Sequence, residues 1–189
     1  MSLLELIAAA DARGLAASGA ACLDRCLPQP AEGSEPDPLR PLWAGCADPR
    51  LWPDRLAEAR AALDVLPDAP ENVRRVRALL AEAPDDRADE ALRTWADACS
   101  VLALDIHLGH DAVRADATEL VGRCRAGDPR GAGPLVSGET ARQVRILEML
   151  AETGDGAPTG AGLRQVRDVS AEGQRVLRAA VSRRARVRG

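Results

Sequence analysis

The chain has 189 residues, 46% of them hydrophobic, and a formal net charge of -4. It is long enough to bury one sizeable core, and its charge counts against a generic polyanion binder, because affinity gained by neutralising phosphates usually belongs to a basic protein. Aromatics are 2%, with no Phe and no Tyr, so the core has to be built of Leu, Val and Ala around Trp43, Trp52 and Trp95.

Ser2 is placed to cap a first helix with Leu3, Leu6, Ile7 and Ala10 on one side. Gly14 and Gly19 then interrupt a weaker pattern that reaches Cys26, which two helices or one bent helix would satisfy. The stretch 28–41, PQPAEGSEPDPLRP, is too rich in proline and acid to be regular and reads as an exposed, flexible connection. Leu42 to Ala47 suggests a short turn. Trp52-Pro53-Asp54 opens a helix with Leu56, Ala59, Leu63 and Leu66 inward, and Pro67 stops it. Another helix carries Val73, Val76, Leu79 and Leu80 inward and ends before Pro84.

From Asp86 to about Ala126 there is no proline, and small or apolar residues recur as Leu92, Ala96, Cys99, Ala103, Ile106, His110, Val113, Ala117, Leu120 and Cys124. Steps of four and three predict one long helix with a continuous seam, of which His110 is the only polar member. His110 is therefore expected to be buried and neutral. At ~1.5 Å per residue that helix would be roughly 60 Å long, against a globule diameter of about 40 Å. Either it bends at Gly109, or one end projects and a second copy covers Val113, Ala117, Leu120 and Cys124, which makes a homodimer the expected assembly.

After a loop at GDPRGAGP, Ser137 opens a helix with Val144, Leu147 and Leu150 inward, and a second break, GDGAPTGAG, precedes helices at Leu163 to Val169 and Ser170 to about Arg186. No β-type alternation is present. The expected fold is all-α: an irregular multi-helix bundle organised around one long central helix, about 86–126. It forms a single helical domain, 1–189, in which 137–189 is able to make a small helical unit of its own.

Three groups of residues bear on function. His107, His110 and Asp111 form the richest polar cluster; on a helix His107 lies one turn from both others, so an imidazole pair or a His–carboxylate pair could hold a metal or relay a proton. A satisfied structural cluster explains the same residues. The segment 146–184 resembles the helix-turn-helix of DNA-binding proteins, with Val169-Ser170 at the turn and the following helix as the reader. The resemblance implies nucleic-acid contacts from Arg175, Arg178, Arg183 and Arg184, although Gly173 near the start of that helix departs from the pattern. Asp85-Asp86-Arg87-Ala88-Asp89 resembles the magnesium-binding DDxxD of class I terpene synthases, and acids at a helix start account for it equally. Trp43-Ala44-Gly45 resembles the WxG turn of small secreted helical hairpins.

The five cysteines match no disulfide scaffold or zinc-ribbon spacing. With no signal-peptide pattern and no membrane-length apolar run, they suggest reduced thiols in a cytoplasmic protein. No catalytic residue, cofactor or metal ligand is assigned. By elimination the sequence favours an accessory or regulatory helical protein acting through protein–protein contacts, itself included. The first alternative is nucleic-acid binding through the basic C-terminal region; the second is an enzyme or metal-binding protein using His107 and His110.

Overall fold

The computed structural model describes residues 1–28, 37–65, 70–111, 117–153 and 162–188. These residues form α1 (Leu3–Ala9), α2 (Ala12–Cys26), α3 (Arg40–Ala47), a 3-10 turn (Pro49–Leu51), α4 (Trp52–Asp64), α5 (Glu71–Ala81), α6 (Asp89–Gly109), α7 (Ala117–Arg125), α8 (Pro134–Glu152) and α9 (Leu163–Arg188). No strand occurs among the described residues, and the protein is an all-α multi-helix bundle. Ser2 begins it with a capping box: its hydroxyl accepts from the Glu5 N–H, and Glu5 accepts from the Ser2 N–H at 2.7 Å. Asp11 caps α2 by accepting from the Gly14 N–H at 2.6 Å.

By burial the centre of the bundle is α2, in which every residue from Gly14 to Cys26 is buried. A helix surrounded on all sides has no polar stripe, and α2 is made of Ala, Gly and Cys so that its neighbours can come close. At Gly19 a Cβ would lie 2.5 Å from the Trp95 ring, so the α2–α6 approach needs glycine there. Trp95 in turn meets Trp52 edge-on, with centroids 6.0 Å apart, and each indole N–H finds a carbonyl, Leu79 for Trp95 and Pro84 for Trp52. One hydrophobic cluster joins Leu3 and Ile7 to Leu92, Ile146, Val166 and Leu177.

The central helix is shorter than its periodicity implied. α6 stops at Gly109, roughly 32 Å from its start. Its last turn tightens, with the His110 N–H bonded to the His107 carbonyl and the Asp111 N–H to Leu108. Arg184 then donates to the carbonyls of Gly109 (2.7 Å) and Asp111 (2.6 Å), satisfying the helix C-terminus. The seam ran on through the sequence because α7 buries its own Leu120 and Cys124 in the same register. Those two residues are covered within the chain, which removes the premise of the projecting-seam dimer. Val113 lies outside the described residues, as do residues 29–36 of the proline-rich connection and Leu66.

Two further corrections concern turns. α9 runs unbroken through Val169 and Ser170, both buried, so the two-helix arrangement with a turn between them does not form. Trp43, Ala44 and Gly45 lie inside α3 and make no turn.

Candidate functional site

The polar groups concentrate in three places, the first of them inside the core. Arg25, near the end of α2, reaches Glu139 on α8 through Nε at 2.9 Å and through a second nitrogen at 2.7 Å, with neither side chain exposed. Arg25 also donates to the Ser170 hydroxyl on α9 at 3.1 Å, and Ser170 donates to the Ala21 carbonyl. Gln143, one turn beyond Glu139, donates to it at 2.9 Å and accepts from Ser100 of α6 at 2.6 Å. Burial works to raise the carboxyl of Glu139, and the charge of Arg25, with His107 and the hydrogen bonds from Arg25 and Gln143, together more than offset it, so Glu139 stays below its ordinary value and ionised. Gly173 makes room for this arrangement: a Cβ there would lie 2.4 Å from Cδ of Arg25.

His107 completes the cluster. Its Nδ1 donates to the Ala103 carbonyl at 2.7 Å, which leaves Nε2 facing Glu139 at 3.6 Å. That nitrogen is buried without a hydrogen-bond partner among the described residues. Burial lowers the His107 pKa, outweighing the pull of Glu139, and Arg25 and Arg142 lower it further. The ring is neutral, fully enclosed and out of reach of any substrate in solution.

His110 and Asp111 go elsewhere. Asp111 is buried and accepts from the backbone N–H groups of Leu135 and Val136, both at 3.1 Å, capping α8 from another helix. Asp111 lies past the end of α6 at Gly109, so the helical His107–Asp111 pair that the spacing implied gives way to a carboxylate at the start of α8. His110 is half-buried rather than enclosed, because the helix ends there; burial first, then Arg184 and His107, lower its pKa. The two imidazoles do not converge, and among the described residues no three His, Cys, Asp or Glu side chains come together as a metal site. All five cysteines are buried and free. Burial pushes the thiols of Cys22 and Cys46 up to about 12 and raises Cys26, Cys99 and Cys124 as well. Of the DDxxD residues, Asp85 pairs with Arg60 at 2.7 Å, and Asp89 sits in the first turn of α6.

His110 lies on the wall of the second feature, a groove of about 870 Å³ between the C-terminal end of α2 and helices α5, α6 and α9. Leu27, Ile106, Leu108 and Leu177 form its apolar floor, each 6–8% exposed, and Val181 at its edge is 41% exposed. The Arg75–Asp105 pair, 2.5 Å apart, stands on the rim with Asn72 and Gln174. Pro28, Pro70 and Asp111, which adjoin undescribed segments, also border it.

The third feature is α9. Arg175, Arg178 and Arg183 are exposed as the sequence suggested. Arg184 is not available in the same way, because it holds the end of α6. The core cluster around Glu139 was missed altogether. Its one visible signal was a charged residue and an amide, Glu139 and Gln143, set a turn apart between the buried Val136 and Leu147.

Fold and site together define an all-helical bundle with an internal ion pair, an open groove and an arginine-bearing last helix. Among the described residues no helix is long and apolar enough to cross a membrane. Comparison with protein-family models, with curated proteins and with solved structures gave no match.

Proposed function

We propose that the protein is an accessory or regulatory helical protein that acts by contact with another protein, taking an amphipathic helix of its partner into the groove between α2, α5, α6 and α9. The groove carries this reading. Its floor of Leu27, Ile106, Leu108 and Leu177 suits apolar anchors spaced along one helix face, and its rim of ionic and amide groups suits the polar flanks. The residues that suggested chemistry are engaged or enclosed: the Asp111 carboxylate caps α8, the His107 ring is buried with its Nδ1 donating to the Ala103 carbonyl, and the thiols are buried.

The test is site-specific photocrosslinking in the source cell. A crosslinker at exposed Glu71, on the groove, is expected to trap a protein partner, whereas one at exposed Arg145, outside it, does not. Val181→Asp should abolish the Glu71 product. No product, equal products at both positions, or a product that survives Val181→Asp would overturn the reading.

A further inference from the structure

Elsewhere in the chain many surface arginines are matched to carboxylates, as Arg50 with Asp48, Arg55 with Glu58, Arg60 with Asp85, Arg75 with Asp105 and Arg130 with Asp128, while exposed Arg40 and Arg145 form no ion pair with another described residue. On α9 that practice stops. Arg164, Arg167, Arg175, Arg178 and Arg186 are all exposed, and none makes a hydrogen bond or ion pair with another described residue. At about 100° per residue they fall within roughly 100° of arc, so they form one row along the helix. The sequence of α9 holds eight arginines against Asp168 and Glu172, a net of +6 in a chain whose total is -4. The molecule is polarised, and the overall acidity that counted against a polyanion partner hides a strongly basic face.

The row has a period. Arg164, Arg175 and Arg186 stand eleven residues apart, as do Arg167 and Arg178. With ~1.5 Å of rise per residue, guanidinium groups recur every 16–17 Å or so, over roughly 33 Å in all. A line along a nucleic-acid duplex crosses one or other backbone twice in each turn of about 34 Å, that is, every ~17 Å on average. Between the arginines stand Ala171, Ser182 and Ala185, short side chains that let a backbone approach and give a protein partner no apolar anchor, together with exposed Asp168, an acid on the same arc that the surrounding arginines outnumber. Arg40, at the start of α3, joins Arg164, Arg167 and Arg178 around an adjoining groove of about 1140 Å³. Among the described residues three acids line that groove: Asp37 caps the Leu39 N–H at 2.9 Å, Asp24 is buried and held by Gln174, its carboxyl pushed up to about 7 by burial and by Asp37, and Asp168 is exposed beside Arg164 and Arg167.

We infer that the outer face of α9 binds duplex DNA along its axis, through phosphates of successive backbone crossings and without base readout. The binding surface is one straight helix, not a helix-turn-helix, and Arg183 and Arg184 lie off its row. The inference does not rest on the groove on the other flank of α9, which the row meets only at Arg178.

Fluorescence anisotropy of a labelled duplex of about 20 base pairs with the full chain tests it. Some five phosphate contacts predict a slope of log K against log salt near -4.5, roughly a 500-fold loss between about 50 and 200 mM. Arg175→Ala with Arg186→Ala should make the slope shallower by about 2 and leave the unfolding curve unchanged. Absence of binding at low salt, or a slope the double variant does not alter, overturns the proposal. So does equal affinity for a single strand of the same length, which removes the duplex register, or for polyglutamate, which gives the face to an acidic protein.

Discussion

Arg25 and Glu139, 114 residues apart, meet in a two-pronged ion pair with neither side chain exposed. The pair ties α2 to α8, and through Ser170 it ties both to α9. Buried pairs of this kind are weak contributors to net stability, since desolvation takes back most of the attraction, but removing one partner strands a charge. Glu139→Gln is therefore expected to cost about 3–5 kcal/mol. Arg25→Met combined with Glu139→Leu should recover most of that loss. Urea unfolding of the three variants measures both, and a double variant as unstable as the single one would show that the pair does more than neutralise itself.

His107 makes the fold acid-sensitive. Its folded pKa is depressed by burial below the unfolded value of about 6.5, so the unfolded chain binds the proton more readily. The stability associated with the neutral ring is complete above that value and is lost as pH falls through it toward the folded pKa. Glu139, also depressed, adds a second loss at lower pH. Asp24, whose folded carboxyl is pushed up to about 7, gains stability as pH falls across the same range, so the check is relative: between about pH 7.5 and 5 the denaturant midpoint of the native chain should lose ground against that of His107→Leu, and parallel profiles would contradict the assignment.

What could be read from the sequence and what could not divides along physical lines. Helices with one apolar stripe, such as α4 with Leu56, Ala59 and Leu63 inward, were legible because burial on one side writes a period. α2 was hard to read because it is buried all round and built largely of small residues, with Gly14 and Gly19 in a stretch that two helices or one bent helix would equally satisfy. Where α6 ends was legible only as a permissive point, Gly109; what makes it a stop is tertiary, because Arg184 from α9 holds the carbonyls of Gly109 and Asp111. The candidate residues follow the same rule. The exposed arginines of α9 could be named from charge alone, whereas the carboxylate that faces His107 belongs to Glu139, 32 residues away, which no spacing indicates.

Gly173 is the residue that a sequence comparison with DNA-reading helices would least expect, and the core explains it. Its missing side chain is the space that the stem of Arg25 occupies, with Arg142 Cδ 3.2 Å away on the other side. Gly173→Ala improves helix propensity by up to about 1 kcal/mol in an exposed helix, but here overpacking at a cost of about 1–3 kcal/mol should win. Thermal or urea unfolding decides the sign, and a stabilised alanine variant would mean that Arg25 yields without strain.

Asp111 offers the sharpest separation of a structural role from a catalytic one. Its carboxylate accepts two N–H groups at the start of α8, so Asp111→Ala leaves both donors buried and removes a negative charge from the positive end of the helix, with an expected loss of about 2–3 kcal/mol. Asp111→Asn keeps an acceptor and should lose less. The carboxylate also fills the space beside Gly133, where a Cβ would come within 2.2 Å of it. Gly133→Ala should therefore displace the same cap, and the two alanine substitutions together should cost no more than the larger of them, because each destroys one shared interaction. Additive losses in that cycle would show that Gly133 and Asp111 stabilise the fold separately and that the cap is not what holds α6 to α8.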